Sequence, residues 1–379
     1  MAAPTVGTSR TDQVTGRATS RLPRAVPGRR RWGWPHYLAA AAVPVLFLQV
    51  WTVTAWLADG PRQVTEFRDR TSASWYAAHT VEAAMLVVAV AVIVHLVRDV
   101  RRQGRLLTFD VMFCLCGATL WWADEALNFW VPAFLPSSNF VNLTNPCGHL
   151  PLVVNPDCGQ VPDAILFFFL VETFGVLGAA MVAGAGIRRL RNRFPDLSTA
   201  QVVLIVFGIG LAIDVTWEMA SVALGLWTYM LPHGMQLGQG ARFPWIEALA
   251  GGVWFATFIV LRNFKDDRGR SFLERGLEHH SPRVDRGITL LAMYALFQFI
   301  MWVPGNLPQA LASFYAPQWP KMPPHLLNDA CDAPGVVGTR YGPCPGSPGF
   351  RMPGRDSLPP VRAEPAAGRH TRSNSAARP

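Results

Sequence analysis

The chain has 379 residues, half of them hydrophobic, and a formal net charge of +9. Its hydrophobic residues form long runs, which exclude an ordinary soluble domain and indicate a protein that crosses the bilayer several times. The positive charge does not indicate nucleic-acid binding, because the arginines lie in the tails and in the connections between apolar runs, and no recognition motif accompanies them.

Seven apolar runs are long enough, or nearly long enough, to cross a bilayer as helices. Their approximate bounds are 36–58, 75–97, 106–129, 163–187, 202–224, 243–261 and 287–303. We therefore expect an all-α fold, a polytopic membrane helical bundle of about seven transmembrane helices. The last helix is expected to end at Pro304, because proline removes a helical hydrogen bond.

These runs divide the chain into four regions. Both tails are Arg-rich and lack apolar periodicity, so they are expected to be disordered. The regions are a basic cytoplasmic tail at 1–33, the seven-helix domain at 34–304, an extracytoplasmic segment with cysteines at 305–345 and a low-complexity tail at 346–379.

Basic residues are concentrated in alternate connections, at 98–105, 188–193 and 262–286, and in the N-terminal tail. The positive-inside rule places these segments in the cytoplasm, with the N-terminus inside and the C-terminus outside. The C-terminal tail is also Arg-rich, but its cations lie too far beyond the last helix to set the orientation. The bias towards Arg, Ala, Gly, Pro and Val suggests a bacterial source. We therefore expect a multi-pass protein of the bacterial plasma membrane.

The clearest functional signal is a pair of acidic residues, Asp214 and Glu218, inside the fifth apolar run. An i, i+4 spacing puts both carboxyls on one face of a helix. One charged side chain facing lipid costs about 3 kcal/mol on insertion scales, so the pair is expected to face a polar cavity. Two close carboxyls, one of them protonated, can act as an acid–base pair. The alternative is a structural pair that joins helices by hydrogen bonds.

Other polar residues fall at the same outer depth of the expected bundle, which implies a cavity open towards the outer face. Asp124 and Glu82 are expected to lie close to the pair and to share its catalytic role. The candidates for binding or orienting a substrate are Asn128, His79, Glu125, Glu172, Glu247 and Trp122.

Several of these candidates also have a structural interpretation. Trp122 fits an interfacial aromatic belt, Glu125 can meet water, and single acids such as Glu172 and Glu247 are often structural. His79 and Glu82 have a spacing that suits a metal, but no strong ligand motif is present and we predict no metal site.

The six cysteines fall into two groups. Cys114 and Cys116 lie within the third apolar run and are expected to be inert core thiols. Four others are expected on the outer face, where an oxidising compartment favours disulfides. The preferred pairing is Cys147–Cys158 and Cys331–Cys344, and the alternative is a long-range pairing between the two loop regions.

Three stretches carry a resemblance to a known family. They are QVWTVTAWLADGP at 49–61, WADEALN at 122–128 and VNPDCG at 154–159. In these stretches the chain resembles the AveC-type spirocyclase family, which consists of actinobacterial multi-pass membrane proteins. The family is named for the member that shapes the spiroketal of avermectin. The resemblance runs from about residue 36 to 345.

The resemblance implies an enzyme of secondary metabolism that closes a hydroxy-ketone of a lipophilic, polyketide-like substrate into a spiroketal, in some members with dehydration. It carries over no catalytic residue. We expect no cofactor, a lipophilic small-molecule substrate, contact with the lipid bilayer and no nucleic acid, and the sequence does not set the oligomeric state. The alternatives are a proton- or cation-coupled transporter and a non-catalytic lipid-binding membrane protein. A transporter would be expected to show inverted repeats, which are not clear in this chain.

Overall fold

The computed structural model of the chain describes residues 32–63, 72–129, 133–151, 153, 158–160, 162–229, 235–237 and 241–314. The expectations for residues 1–31, for the C-terminal tail and for a Cys331–Cys344 disulfide lie outside these residues. The described chain is mostly helical, as the sequence predicted, with short strands in the connections.

Most helices begin and end close to the predicted apolar runs. They are α1 (Trp34–Asp59), α2 (Ala73–Gln103), α3 (Phe109–Gly117), α4 (Trp121–Glu125), α5 (Ile165–Leu170), α6 (Val176–Arg193), α7 (Thr199–Ala223), α8 (Trp245–Asn263), α9 (Pro282–Ile300) and α10 (Leu307–Phe314). Serine side chains cap two of them. Ser72 and Ser198 accept hydrogen bonds from backbone N–H groups in the first turns of α2 and α7, which stabilises a helix start.

Two π-helical segments and three strand pairs complete the described fold. The π segments are Val171–Gly175, which joins α5 to α6, and Met301–Asn306, which joins α9 to α10. The strands are β1 (Phe134–Pro136), β2 (Leu143–Thr144), β3 (Pro162–Asp163), β4 (Trp227–Tyr229), β5 (Met235–Leu237) and β6 (Ala241–Phe243). They pair antiparallel as β1–β4, β2–β3 and β5–β6.

Six helical stretches in the described chain are long and apolar enough to cross a membrane. They are α1, α2, the joined α5–α6, α7, α8 and the joined α9–α10 as far as Ala312. Their outer faces carry large apolar side chains such as Phe47, Val87 and Leu204, which are 71 %, 70 % and 68 % exposed. Extended apolar surface of this kind is typical of contact with lipid. The chain is therefore a multi-pass membrane protein.

The third predicted apolar run is a broken helix rather than a continuous one. α3 ends at Gly117, a turn follows, and α4 leads into a 3₁₀ helix at Ala126–Phe129. At the break, the Thr119 carbonyl oxygen accepts hydrogen bonds from the side-chain amides of Gln49 and Gln298, each at 2.9 Å. Side-chain amides from α1 and α9 thus take the place of the backbone N–H that a continuous helix would supply to this carbonyl. The helix can therefore break inside the bundle.

Contacts between the connections define two ends of the bundle. At the loop end, β1 pairs with β4, and the Thr144 backbone N–H donates to the Arg62 carbonyl oxygen at 3.0 Å. At the Arg-rich end, Arg262 forms a bidentate pair with Asp110, at 2.7 and 3.0 Å. The α3–α4 segment has Asp110 in its first turn at the Arg-rich end and reaches the loop end, so it runs between the same two ends as the six long stretches. The orientation of these ends in a membrane stays a prediction.

The expected end of the last helix at Pro304 is wrong. Pro304 lies inside the π segment, and the helix continues to Phe314. A π turn widens the helix locally, so that it continues past a residue that lacks a backbone N–H. The extension is held in place because the Asn306 side-chain amide donates to the Ala123 carbonyl oxygen.

The loop end is stabilised by a disulfide and a cluster of aromatic rings. Cys147 and Cys158 are bonded, with their Cα atoms 5.8 Å apart, which is the short pairing preferred from the sequence. Cys114 and Cys116 are buried free thiols in α3. The rings of the loop-end cluster include Phe134, Phe140, Phe167, Phe168, Trp227 and Tyr229. They connect the β1–β4 pair to α5 and form one wall of the cavity described next.

Candidate active site

A cavity lies towards the loop end of the bundle, beside the β1–β4 pair. About 810 Å³ of space not filled by protein atoms lies within it and its opening to the surroundings. Five carboxyl groups line it, and they come from α4, the first π segment, α7 and α8: Asp124, Glu172, Asp214, Glu218 and Glu247. The structure thus brings together the predicted pair and three of the other predicted acids.

Asp214 is positioned by close packing between α7 and α8. Its carboxyl group lies directly against Gly251, and a side chain at that position would overlap all three carboxyl heavy atoms. Glycines make the approach possible along the interface, because a Cβ at Gly210 would come within 3.2 Å of the Phe255 Cβ. Asp214 is buried, and its Oδ2 atom has no hydrogen-bond partner among the described residues.

Glu218 is held by two donors from β4. The indole Nε1 of Trp227 and the phenol Oη of Tyr229 both donate to Glu218 Oε2, each at 2.8 Å. Burial, together with the nearby acidic groups of which Glu218 is the strongest, raises the pKa of Tyr229 well above its usual range. Tyr229 therefore keeps its proton at neutral pH and remains a donor. The two donors fix the position of the Glu218 carboxyl and can stabilise negative charge on Oε2.

Asp124 and Glu172 form a second acidic pair in the cavity. Their carboxyls are in hydrogen-bonding contact. Glu172 lies in the first π segment. Its backbone carbonyl packs so closely on Gly117 that a Cβ at position 117 would overlap the carbonyl oxygen. π-helical turns are frequent at functional sites because they displace side chains from helical register. Apart from the contact with Asp124, Glu172 Oε2 is buried without a partner in the described part of the chain.

Glu247 lies in the first turn of α8 and contacts the second π-containing helix. The side-chain amide of Gln309, on α10, donates to Glu247 Oε2. Gln309 and Asn306 both line the cavity. The helix that was expected to end at Pro304 therefore contributes two amides to the site.

Four of the predicted residues lie outside the cavity. Glu82 accepts hydrogen bonds from the Val141 backbone N–H at 2.8 Å and from His79 Nδ1 at 2.7 Å, so both its oxygens hold structure at the loop end. Asn128 Oδ1 accepts from the Ala133 and Phe134 backbone N–H groups. Glu82, His79 and Asn128 therefore do not line the cavity, and their expected catalytic and orienting roles stay predictions.

Trp122 and Glu125 complete the predicted set. Trp122 is buried and packs edge-on against Trp302, with ring centroids 5.4 Å apart, and it does not line the cavity. It packs in the core, and its substrate-orienting role stays a prediction. The side chain of Glu125 lies outside the described part of the structure.

Several cavity residues could not be found from the sequence. Trp227 and Tyr229 lie in the connection between α7 and α8, and the strand pairing that aims them at Glu218 joins residues about ninety positions apart. Gly251 is one of several glycines in α8 and α7. The usable signal was the aromatic-rich stretch that follows α7 directly, Leu226-Trp227-Thr228-Tyr229.

Comparison with known proteins identifies the family. The sequence profile described as "Spirocyclase AveC-like" matches residues 104–324, which is more than half of the chain. The matched region includes all five cavity carboxyls and two of the three stretches that carried the resemblance, while the stretch at 49–61 precedes it. No curated protein and no solved structure matches the chain. The match supports a spirocyclase-type, cyclising function in general. The chain therefore belongs to the AveC-like spirocyclase family.

Proposed function

We propose that the protein closes a hydroxy-ketone of a lipophilic, polyketide-like substrate into a spiroketal, with Asp214 and Glu218 as its acid–base pair. The observation that carries this proposal is the position of the two carboxyls on adjacent turns of α7, both lining one cavity. Ketal formation needs an acid for the carbonyl or departing hydroxyl and a base for the attacking hydroxyl.

The surroundings of the two carboxyls support different roles. Glu218 accepts two hydrogen bonds that can stabilise its charged form, which suits a general base. Asp214 is buried on Gly251 with one oxygen unpartnered among the described residues. Burial without a donor favours a neutral carboxylic acid, which suits a general acid.

The chemical sequence uses the pair twice. In the first step, Asp214 donates its proton to the ketone oxygen while a substrate hydroxyl attacks the carbonyl carbon and gives its proton to Glu218. The hemiketal hydroxyl then leaves as water, and the second substrate hydroxyl forms the second C–O bond. Each step moves one proton from a hydroxyl to a carboxylate and one from a carboxylic acid to oxygen, so no net proton is consumed.

The cavity also has a lipid-facing side. Trp217 lines the cavity yet is 37 % exposed, and it lies on α7 one turn from Ile213, which is 55 % exposed. Its ring stacks on Phe167 at a centroid distance of 6.3 Å. A lipophilic substrate dissolved in the bilayer could reach Asp214 past this ring. We place the protein in the bacterial plasma membrane, with the Arg-rich end in the cytoplasm.

The test is turnover of a synthetic keto-diol by purified protein in nanodiscs. Since keto-diols also cyclise spontaneously, the measured quantities are the rate above a no-protein control and the diastereomer ratio of the spiroketal. The proposal predicts an accelerated reaction that favours one diastereomer. A rate and ratio equal to those of empty nanodiscs, across a panel of keto-diols, would contradict it.

A further inference from the structure

Apart from the protons carried by neutral carboxyls, the cavity offers a ligand mainly hydrogen-bond acceptors. Among the described lining residues there is no Lys, Arg or His, while five carboxyls are present. Most of the side-chain donors in the lining already bond to protein atoms: those of Trp227, Tyr229, Asn306, Gln309 and Trp254. The groups left over are oxygens and the indole Nε1 of Trp217, which is partly exposed.

Three of these oxygens are buried and, apart from the contact between the Glu172 and Asp124 carboxyls, have no partner among the described residues. They are Asp214 Oδ2, Glu172 Oε2 and Gln309 Oε1, in side chains that are 5 %, 3 % and 3 % exposed. A buried acceptor without a donor costs about 1–3 kcal/mol. Because all three residues line the cavity, a ligand that brings positive charge or donors would remove this cost.

Aromatic faces complete the lining. The rings of Trp227, Phe167 and Trp217 are in mutual contact, with centroid distances of 5.8 to 6.3 Å. Phe134 joins the same group, with its ring centroid 6.1 Å from that of Trp227. Aromatic faces attract cations, most strongly where water is excluded. Within the described residues no three acidic, His or Cys groups converge as ligands of a metal ion, so an organic cation fits this site better than an inorganic one.

We propose that the cavity is a binding site for lipophilic organic cations, with carboxylates and aromatic faces around the positive centre. A stable ligand of this class is a protonated tertiary amine on an alkyl chain. This part of the proposal concerns binding and stands whether or not the protein is a cyclase.

For the reaction, the inference rests on the proposed function and adds an intermediate to it. A carboxylic acid protonates the hemiketal hydroxyl, the C–O bond breaks and water leaves with its electron pair. A lone pair of the ring oxygen then forms a C=O⁺ bond, which gives an oxocarbenium ion. The second hydroxyl oxygen attacks this carbon and its proton passes to a carboxylate. The acceptor-rich lining stabilises the cation between these two events.

The experiment compares N-octylpiperidine with its uncharged isostere octylcyclohexane. Saturation binding of the tritiated amine is measured at neutral pH on protein in phosphatidylcholine nanodiscs, with the signal of empty nanodiscs subtracted. The amine is expected to bind saturably, and octylcyclohexane to displace it at least about tenfold less effectively than unlabelled amine. Equal displacement by the two compounds would overturn the proposal.

Carboxyl variants locate the site. The double variant Asp214→Asn with Glu172→Gln should weaken amine binding at least about tenfold, while Asp267→Asn, which removes an exposed carboxyl at the Arg-rich end, should not. Size-exclusion profiles and melting temperatures check that each variant is folded. If the folded double variant binds the amine as the wild type does, the assignment is overturned. If it does not fold, Glu172→Gln alone is measured against the same criterion.

The same amine separates this inference from the proposed function. Saturable amine binding without cyclisation of any keto-diol would refute the function and leave the cation site standing. Cyclisation that the amine does not inhibit would refute the cation site and leave the function standing.

Discussion

The carboxyl group of Asp214 on α7 rests directly on Gly251 of α8, where no other residue would leave room for it. The position of the carboxyl thus depends on a missing side chain on the neighbouring helix. Since catalytic groups must be placed to within a fraction of an ångström, this contact gives a direct test of the site.

Gly251→Ala should reduce turnover by about a hundredfold, because its methyl group would displace the Asp214 carboxyl. The control is Gly208→Ala on α7, where an added Cβ has no neighbour within 4 Å. Steady-state rates of both variants in nanodiscs, with melting temperatures as a check of folding, make the comparison. Full activity of a folded Gly251→Ala variant would show that the position of Asp214 is not critical.

Removing a donor from Glu218 should slow turnover without removing the carboxylate. Tyr229→Phe and Trp227→Phe each delete one of two hydrogen bonds to Glu218 Oε2. A hydrogen bond to a charged group contributes about 1.5–3 kcal/mol, so each variant should lose about ten- to a hundredfold in rate. Tyr76→Phe, at an exposed tyrosine of α2, is the matched control and should leave the rate unchanged. Unchanged rates in both cavity variants would rule out a role for the β4 donors.

Asp163 gives a prediction for stability against pH. It is fully buried in β3 with neither carboxyl oxygen partnered among the described residues, and burial followed by the charge of Asp124 raises its pKa well above 3.8. A raised pKa in the folded state means that the folded protein holds the proton more tightly than the unfolded chain. The stabilising contribution of the Asp163 proton is fully present below pH 3.8. It is lost as the pH rises through the pKa that Asp163 has in the folded state.

Asp163→Asn should therefore raise the melting temperature at pH 8 and flatten its dependence on pH, while the two proteins should differ less near pH 4. Thermal melts in detergent across this range make the measurement, and Asp267→Asn serves as the exposed control. A melting temperature of the Asp163→Asn variant that falls below that of the wild type at pH 8 would contradict the account.

The topology is tested by reporter fusions at both ends of the bundle. We expect cytoplasmic signals at Gly104 and Gly269, and an extracytoplasmic signal at Gly225, which lies between α7 and β4. An extracytoplasmic signal at Gly104 would reverse the orientation. Signals on opposite sides at Gly104 and Gly269 would show that the contacts at the Arg-rich end do not form in the membrane.

The sequence predicted most of the helices because lipid imposes a simple length and polarity rule on each of them. It also predicted Asp214 and Glu218, since two acids in an apolar run need a polar environment. It could not predict the break at Thr119, because the amides of Gln49 and Gln298 that cause it come from distant helices.

The differences at the site have a similar cause. Glu82 is an acidic residue at the membrane depth expected of the site. However, its carboxyl oxygens accept hydrogen bonds from the Val141 backbone N–H and from His79. Gln309 and Asn306 were missed because proline usually ends a helix, whereas here a π turn carries the helix past Pro304. Register within a helix can be read from a sequence, but tertiary hydrogen bonds cannot.

The central claim is that Asp214 and Glu218 work as one unit. It is tested most directly by the turnover of one keto-diol with four proteins: wild type, Asp214→Asn, Glu218→Gln and the double variant. Each single change keeps the side-chain shape and should cost about a hundredfold or more, and the double variant should be hardly slower than the slower single one, because residues acting together are not additive. Full activity in both folded single variants, or losses that simply multiply in the double variant, would contradict the claim.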